Sequence, residues 1–71
     1  MKRLTCEELM EKMGERKVTA NQILDYFEFD KERHHVLAVE TDKTARVLKP
    51  NEEIDLETSN NVIITPYMEG G

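Results

Sequence analysis

The chain has 71 residues, 38% of them hydrophobic, so it can form one domain around a single thin core. It carries 15 acidic and 10 basic residues, for a formal net charge of -5. This charge disfavours nucleic acid and anionic membranes as partners and suits a basic surface on another protein. No apolar run approaches the roughly 20 residues of a membrane span, and the first residues lack the apolar stretch of a signal peptide. We therefore expect a cytoplasmic protein.

The residues that could carry chemistry are few. Cys6 is the single cysteine, so no internal disulfide can form, and Glu7 and Glu8 beside it favour a buried structural thiol over a reactive thiolate. His34 and His35 are adjacent and would face opposite sides of a strand, so they cannot readily share a metal ion. The chain also lacks a phosphate-binding glycine loop and a nucleophile elbow. We expect no metal site.

Residues 1–18 allow two interpretations. Segment 7–15 can form a helix with Leu9 and Met13 on one side, and the helix propensities of Glu, Leu, Met and Lys slightly favour this. Alternation of apolar and polar residues within 4–13 equally allows the two strands of a hairpin. The residues alone leave both alternatives open.

The best local signal is the start of a helix. Thr19 and Gln22 match a capping box, in which each side chain bonds the backbone N–H of the other residue. Val18 and Ile23 fall at the two positions of a hydrophobic staple. The apolar spacing that follows predicts a helix over about residues 20–27.

The remainder predicts strands joined by turns. Three short apolar segments are typical of strands, namely 35–39, 45–48 and 62–65. Polar or proline-containing segments predict turns and loops, at 41–44, 49–53 and 59–61. Ile54 and Leu56 are expected to close one end of the core from an irregular segment. The continuous apolar run 62–64 predicts that the last strand is central in its sheet.

Two glycines, Gly70 and Gly71, follow the last predicted strand. Without a Cβ atom, this backbone can form a thin, flexible thread that enters a narrow active-site channel. A frayed end without a function is the alternative from the residues alone.

The order of these elements resembles the ThiS/MoaD family of ubiquitin-like sulfur-carrier proteins. The resemblance covers residues 18–71, with 18–24 similar to the start of the family's first helix and 36–39 to its third strand. Segment 59–66 is similar to its last turn, strand and proline, and Gly70-Gly71 to its functional end.

The resemblance implies an α+β fold of the β-grasp type. Its sheet would be mixed, with four or five strands packed on one main helix, in a domain of residues 1–66 followed by a flexible tail, 67–71. It also implies an N-terminal hairpin. We therefore expect two strands within residues 1–18, joined near Glu7 and Glu8.

The resemblance also implies a function. An adenylating enzyme of the ubiquitin-activating type would use ATP and magnesium to activate the carboxylate of Gly71, and a persulfide enzyme or sulfide would convert it to a thiocarboxylate. A synthase would then accept the sulfur in thiamine, molybdopterin-type or related biosynthesis, while the carrier itself binds no cofactor and catalyses nothing. Gly70 would permit close backbone approach, and Pro66 would mark where the strand releases the tail. An apolar surface on the sheet would dock the enzyme, with Tyr67 and Met68 as candidate contacts.

Two departures from the family pattern matter. Glu28 lies where a helix-ending glycine is usual, and a left-handed conformation there would cost about 1 kcal/mol or more. Glu69 lies before the glycines where small or neutral residues are common, which bears on which activating enzyme accepts the tail. Two other functions stay open, a ubiquitin-like modifier conjugated through Gly71 and a non-catalytic β-grasp binding module.

Overall fold

The structure is a computed structural model that describes residues 2–39, 44–59 and 61–67. These ranges contain two helices and six strands. They are β1 (Lys2–Thr5), α1 (Cys6–Met13), β2 (Lys17–Thr19), α2 (Ala20–Tyr26), β3 (His34–Val39), β4 (Ala45–Val47), β5 (Glu53–Asp55) and β6 (Asn61–Pro66). The α+β class, the second helix and the three predicted strands are confirmed. The turn residues 41–43 and Asn60 lie outside the described residues.

The strands form a four-stranded sheet in the order β1-β6-β3-β4 and a two-stranded sheet of β2 and β5. β6 lies between β1 and β3, which confirms its predicted central position. Every pairing among the described strands is antiparallel, so the parallel pairing of the expected mixed sheet is absent from this part of the chain.

The hairpin expected within residues 1–18 is wrong, and the helical alternative is correct. β1 pairs with β6 and β2 pairs with β5, with α1 between them in the chain. Local signals explain this helix: Thr5 and Glu8 form a capping box, and Gly14 ends the helix in the left-handed region at φ 69°. Because Cys6 and Leu9 face the core, α1 also buries an apolar side.

α2 begins and ends at recognisable signals. The Thr19 hydroxyl accepts from the Gln22 N–H at 3.1 Å, and the Gln22 side chain accepts from the Thr19 N–H at 2.8 Å, which confirms the predicted capping box. At the other end, the Glu28 N–H donates to the Asp25 carbonyl and the Phe29 N–H to the Leu24 carbonyl. This is a Schellman motif with Glu28 at φ 61°, in the left-handed position that glycine usually occupies.

One core fills the space between the helices and the inner face of the larger sheet. Alternate strand residues point into it, and the members that are less than 5% exposed include Leu4, Val36, Ala38, Val62 and Ile64. The helices contribute Leu9, Ile23 and Leu24. Ile54 and Leu56 are buried as predicted, although Ile54 lies in strand β5 and not in an irregular segment. None of the helices in the described ranges has the length and apolar character needed to cross a membrane.

Candidate functional site

Two of the predicted site residues are described. Pro66 is the last residue of β6 and pairs with His34, and Tyr67 follows it. Met68, Gly70 and Gly71 lie outside the described residues, so their predicted roles stay predictions.

Tyr67 is anchored through its backbone and its ring while half of it remains exposed. Its N–H donates to the Arg33 carbonyl at 2.9 Å, which continues the alignment of β6 with the start of β3 by one residue. Its ring meets the His35 ring edge-on, with 4.8 Å between the ring centroids and 88° between the planes. With 48% of its surface exposed, Tyr67 contacts the body of the protein and still offers an aromatic surface to a partner.

The outer face of the larger sheet carries apolar side chains that neither helix covers. Strand register places one row across all four strands, because Ile63 pairs with both Arg3 and Leu37, and Leu37 pairs with Val47. A second row carries Val39 between Asn61 and Ala45. We call this surface the open sheet face and define it by Arg3, Thr5, His35, Leu37, Val39, Ala45, Val47, Asn61, Ile63 and Thr65.

Burial distinguishes the two faces of the sheet. Val36 and Val62 on the inner face are 0% exposed, whereas Val47 on the open sheet face is 51% exposed. Leu37 and Ile63 are only partly buried. A strand with one solvated face normally alternates apolar and polar residues, whereas Val62, Ile63 and Ile64 in sequence place apolar side chains on both faces of this sheet. In the sequence this run predicted a central strand, but no sequence signal identified Ile63, Leu37 and Val47 as neighbours on one surface.

The open sheet face has one charged residue, Arg3, among its ten members. It therefore lacks carboxylates even though acidic residues outnumber basic ones in the whole chain by 15 to 10. Removal of charged groups from water adds to the cost of forming an interface, so a surface with few charges suits association with an apolar partner surface.

The polar and titratable groups elsewhere support the fold. Burial raises the pKa of the Cys6 thiol, and Cys6 is 1% exposed, which confirms the predicted structural cysteine. The Arg16 guanidinium donates to both carboxylate oxygens of Asp55, at 3.3 and 3.1 Å, and this hydrogen bonding lowers the pKa of Asp55. A hydrogen bond from Arg46 lowers the pKa of Glu52 in the same way.

The histidines serve as packing groups. The Nδ1–H of His34 donates to the Asp30 carbonyl at 3.0 Å, since a carbonyl can only accept, and its ring packs edge-on against Phe29. His35 contacts Tyr67. The described residues contain no group of three or more His, Cys, Asp or Glu that could hold a metal ion.

These features together form a candidate surface for binding a partner. The open sheet face and Tyr67 form a continuous surface through His35, at the point from which the chain continues towards Gly70 and Gly71. Comparison of the chain with models of protein families, with curated proteins and with solved structures gives no match.

Proposed function

We propose that this chain is a protein sulfur carrier whose reacting group is the carboxylate of Gly71. The observation that carries the proposal is the diglycine sequence four residues after β6, a central strand that ends beside the open sheet face. The proposal takes Gly71 as the carboxyl terminus of the mature protein. It places the reaction in the cytoplasm, where ATP and reduced sulfur are both at hand.

The chemistry follows from the weak electrophilicity of a carboxylate. An adenylating partner joins the Gly71 carboxylate to the α-phosphate of ATP and releases pyrophosphate. Sulfide then attacks the acyl carbon and displaces AMP, leaving a thiocarboxylate. When the donor is a persulfide, a second thiol must reduce the resulting acyl disulfide. The carrier supplies the thread and the docking surface, and its partner supplies ATP and magnesium.

The anchoring of Tyr67 sets the reach of this thread. Four residues, 68–71, follow Tyr67, and an extended chain spans at most about 3.5 Å per residue. Gly71 can therefore lie no more than about 14 Å from Tyr67. A partner that binds the open sheet face must therefore hold the α-phosphate of ATP within about 14 Å of Tyr67.

The β-grasp assignment is part of the proposal. It is supported by the central position of β6, the antiparallel pair of β3 and β4, and the packing of α2 beside β3. Two features depart from what the family resemblance implies: β1–α1–β2 replaces the hairpin, and β1 pairs antiparallel with β6 where a mixed sheet is expected. Support from the resemblance therefore comes from residues 18–71 alone.

Intact-mass spectrometry of the protein purified from its native cells tests the central claim. We expect a fraction of the protein to carry an oxygen-to-sulfur exchange, a gain of about 16 Da, on a chain that ends at Gly71. Incubation with its adenylating enzyme, ATP and sulfide should increase that fraction, and deletion of Gly71 should abolish it. A native chain that continues past Gly71, or no gain under any of these conditions, contradicts the proposal.

Protein modification through the same tail is distinguished by peptide mapping. Glutamate-specific cleavage after Glu69 leaves Gly70-Gly71 on a modified lysine, whereas trypsin leaves a long remnant because Lys49 precedes Pro50 and no later lysine or arginine exists. Diglycine-tagged lysines on other proteins, without the thiocarboxylate, would establish the modifier function in place of the carrier.

Docking is tested at Val47. Val47→Asp places a charge on the open sheet face, where half of the side chain is already exposed, so the fold should tolerate it. We expect at least a tenfold loss of carrier-dependent ATP–pyrophosphate exchange by the adenylating enzyme, from about 1.4 kcal/mol or more of lost binding. Gln22→Glu is the matched control, since it adds the same charge in α2 and keeps a capping-box residue. Equal activity of the two variants would exclude the open sheet face as the docking surface.

A further inference from the structure

A groove lies beside Tyr67, between the start of α2, the first half of β3 and the loop after β4. Its volume is about 250 Å³. Its floor is apolar and formed by buried residues, namely Ala20, Leu24, Val36 and Leu48, each 3% exposed or less. Val47 and Tyr67 at its rim are about half exposed, so the groove continues the apolar surface of the open sheet face.

The charged residues that line the groove are both lysines, Lys31 and Lys49. No carboxylate is found among the described residues that line it, although acidic residues dominate the chain. The Lys31 ammonium pairs with Asp25 at 3.0 Å, with the two side chains 46% and 61% exposed. Such an exposed pair is weak, so a carboxylate from a partner can replace Asp25.

Lys49 lies near a carboxylate, that of Glu52. The Glu52 carboxylate accepts from the Lys49 backbone N–H and is itself paired with Arg46. The charge of this carboxylate is therefore already countered by a guanidinium. The rim of the groove keeps a net positive character above an apolar floor.

We propose that this groove binds a segment of a partner protein in which an apolar side chain is followed by acidic residues. The apolar side chain fills the groove over Leu24 and Val36, and the carboxylates reach Lys31 and Lys49. A volume of about 250 Å³ lies below the range of small-molecule pockets, which begins at roughly 300 Å³, and suits one inserted side chain. Charge complementarity selects an acidic segment over a basic one. This binding requires neither the diglycine tail nor sulfur transfer.

Titration of the ¹⁵N-labelled full chain with short acetylated peptides tests the proposal by NMR. The probe contains one leucine followed by two glutamates, and matched peptides replace the leucine with serine, or the glutamates with glutamines or lysines. We expect saturable shifts of the Val36, Leu48 and Tyr67 amides with the leucine–glutamate peptide. The glutamine peptide should bind several-fold more weakly, and the serine and lysine peptides should show no saturable binding.

Substitutions in the chain locate the contact. Lys31→Gln and Lys49→Gln should each weaken binding of the leucine–glutamate peptide by about two- to fivefold. Lys12→Gln, an exposed lysine on α1 that does not line the groove, should leave the affinity unchanged. Equal affinity for the glutamate and glutamine peptides, equal effects of all three lysine variants, or no saturable shift with any peptide overturns the proposal. None of these measurements involves ATP or sulfur, so their failure leaves the carrier function standing.

Discussion

Glu28→Gly should stabilise the protein, because Glu28 occupies a left-handed backbone position. Its φ of 61° places it at the C′ position of the Schellman motif that ends α2. The two backbone hydrogen bonds of this motif require that conformation, and Phe29 packs against the core directly after it. The strain is therefore imposed by contacts on both sides of Glu28.

The magnitude follows from two opposing effects. Relief of the left-handed conformation gains about 1–2 kcal/mol for a residue with a Cβ atom. The glycine variant has more conformational freedom in its unfolded chain, which offsets about 0.4–1 kcal/mol of this gain. We expect a net gain of about 0.5–1 kcal/mol in the free energy of unfolding. In a domain of 71 residues this raises the melting temperature by about 3–6 °C.

Urea denaturation followed by circular dichroism, together with calorimetry, measures this gain. Glu28→Ala is the first control, because alanine removes the carboxylate but keeps the Cβ atom, and it should change stability by only a few tenths of a kcal/mol. Gly14→Ala is the reciprocal control. Gly14 has φ 69°, and an added Cβ would meet nothing within 4 Å, so the expected loss of about 0.5–1 kcal/mol is a backbone effect alone.

Either of two results would show that the left-handed conformation of Glu28 carries no strain. One is a Glu28→Gly variant no more stable than Glu28→Ala, which would assign any gain to the lost charge. The other is a Gly14→Ala variant as stable as the native chain, which would remove the energetic penalty of the left-handed region from this protein.

Three further predictions concern the start of α2, the Arg16–Asp55 ion pair and the buried cysteine. Thr19→Ala removes the hydroxyl that accepts from the Gln22 N–H and should lower the free energy of unfolding by about 1 kcal/mol in urea denaturation. Thr19→Ser keeps a hydroxyl and should be nearly as stable as the native chain; equal loss of stability in both variants would show that the hydroxyl does not cap α2. Arg16→Gln should lower stability at neutral pH. Hydrogen bonding lowers the pKa of Asp55 in the folded state, so the ion pair stabilises the fold above the ordinary pKa of 3.8. This stabilisation is lost as pH falls through the lower folded-state pKa, and the native chain and the variant should then become equally stable. A difference in stability that stays constant with pH would contradict this. Cys6 should react with a thiol reagent only as fast as the protein unfolds, and rapid labelling of the native protein would show that it is accessible.

Local signals in the sequence predicted the elements that depend on neighbouring residues. The capping box of Thr19 and Gln22 predicted the start of α2, because its donors and acceptors lie within one helical turn. The apolar, β-branched segments predicted β3 and β6. The cost of a left-handed Glu28 suggested a different helix ending at this position, but the structure keeps the left-handed ending at φ 61°. Each of these features involves residues only a few positions apart.

In the N-terminal segment, residues 1–18, the expected hairpin was wrong although local signals for a helix are present. Residue propensities favoured a helix in 7–15, and α1 confirms it. The hairpin was expected only because a resemblance covering residues 18–71 was extended to residues that it does not cover. The capping box of Thr5 and Glu8, which signals the start of α1 in the sequence itself, was not used.

The sequence by itself determined the position of α2, the strands β3, β4 and β6, the buried cysteine and the presence of two glycines after the last strand. Only the tertiary structure decided that Lys2 lies opposite Ile64, that both helices cover the same face of the sheet, and that Leu37, Ile63 and Val47 remain on the other. The physical reason is the range of the interactions. A cap or a helical repeat is complete within a few residues, whereas strand order and the choice of covered face depend on packing between segments about 60 residues apart, which no short sequence pattern specifies.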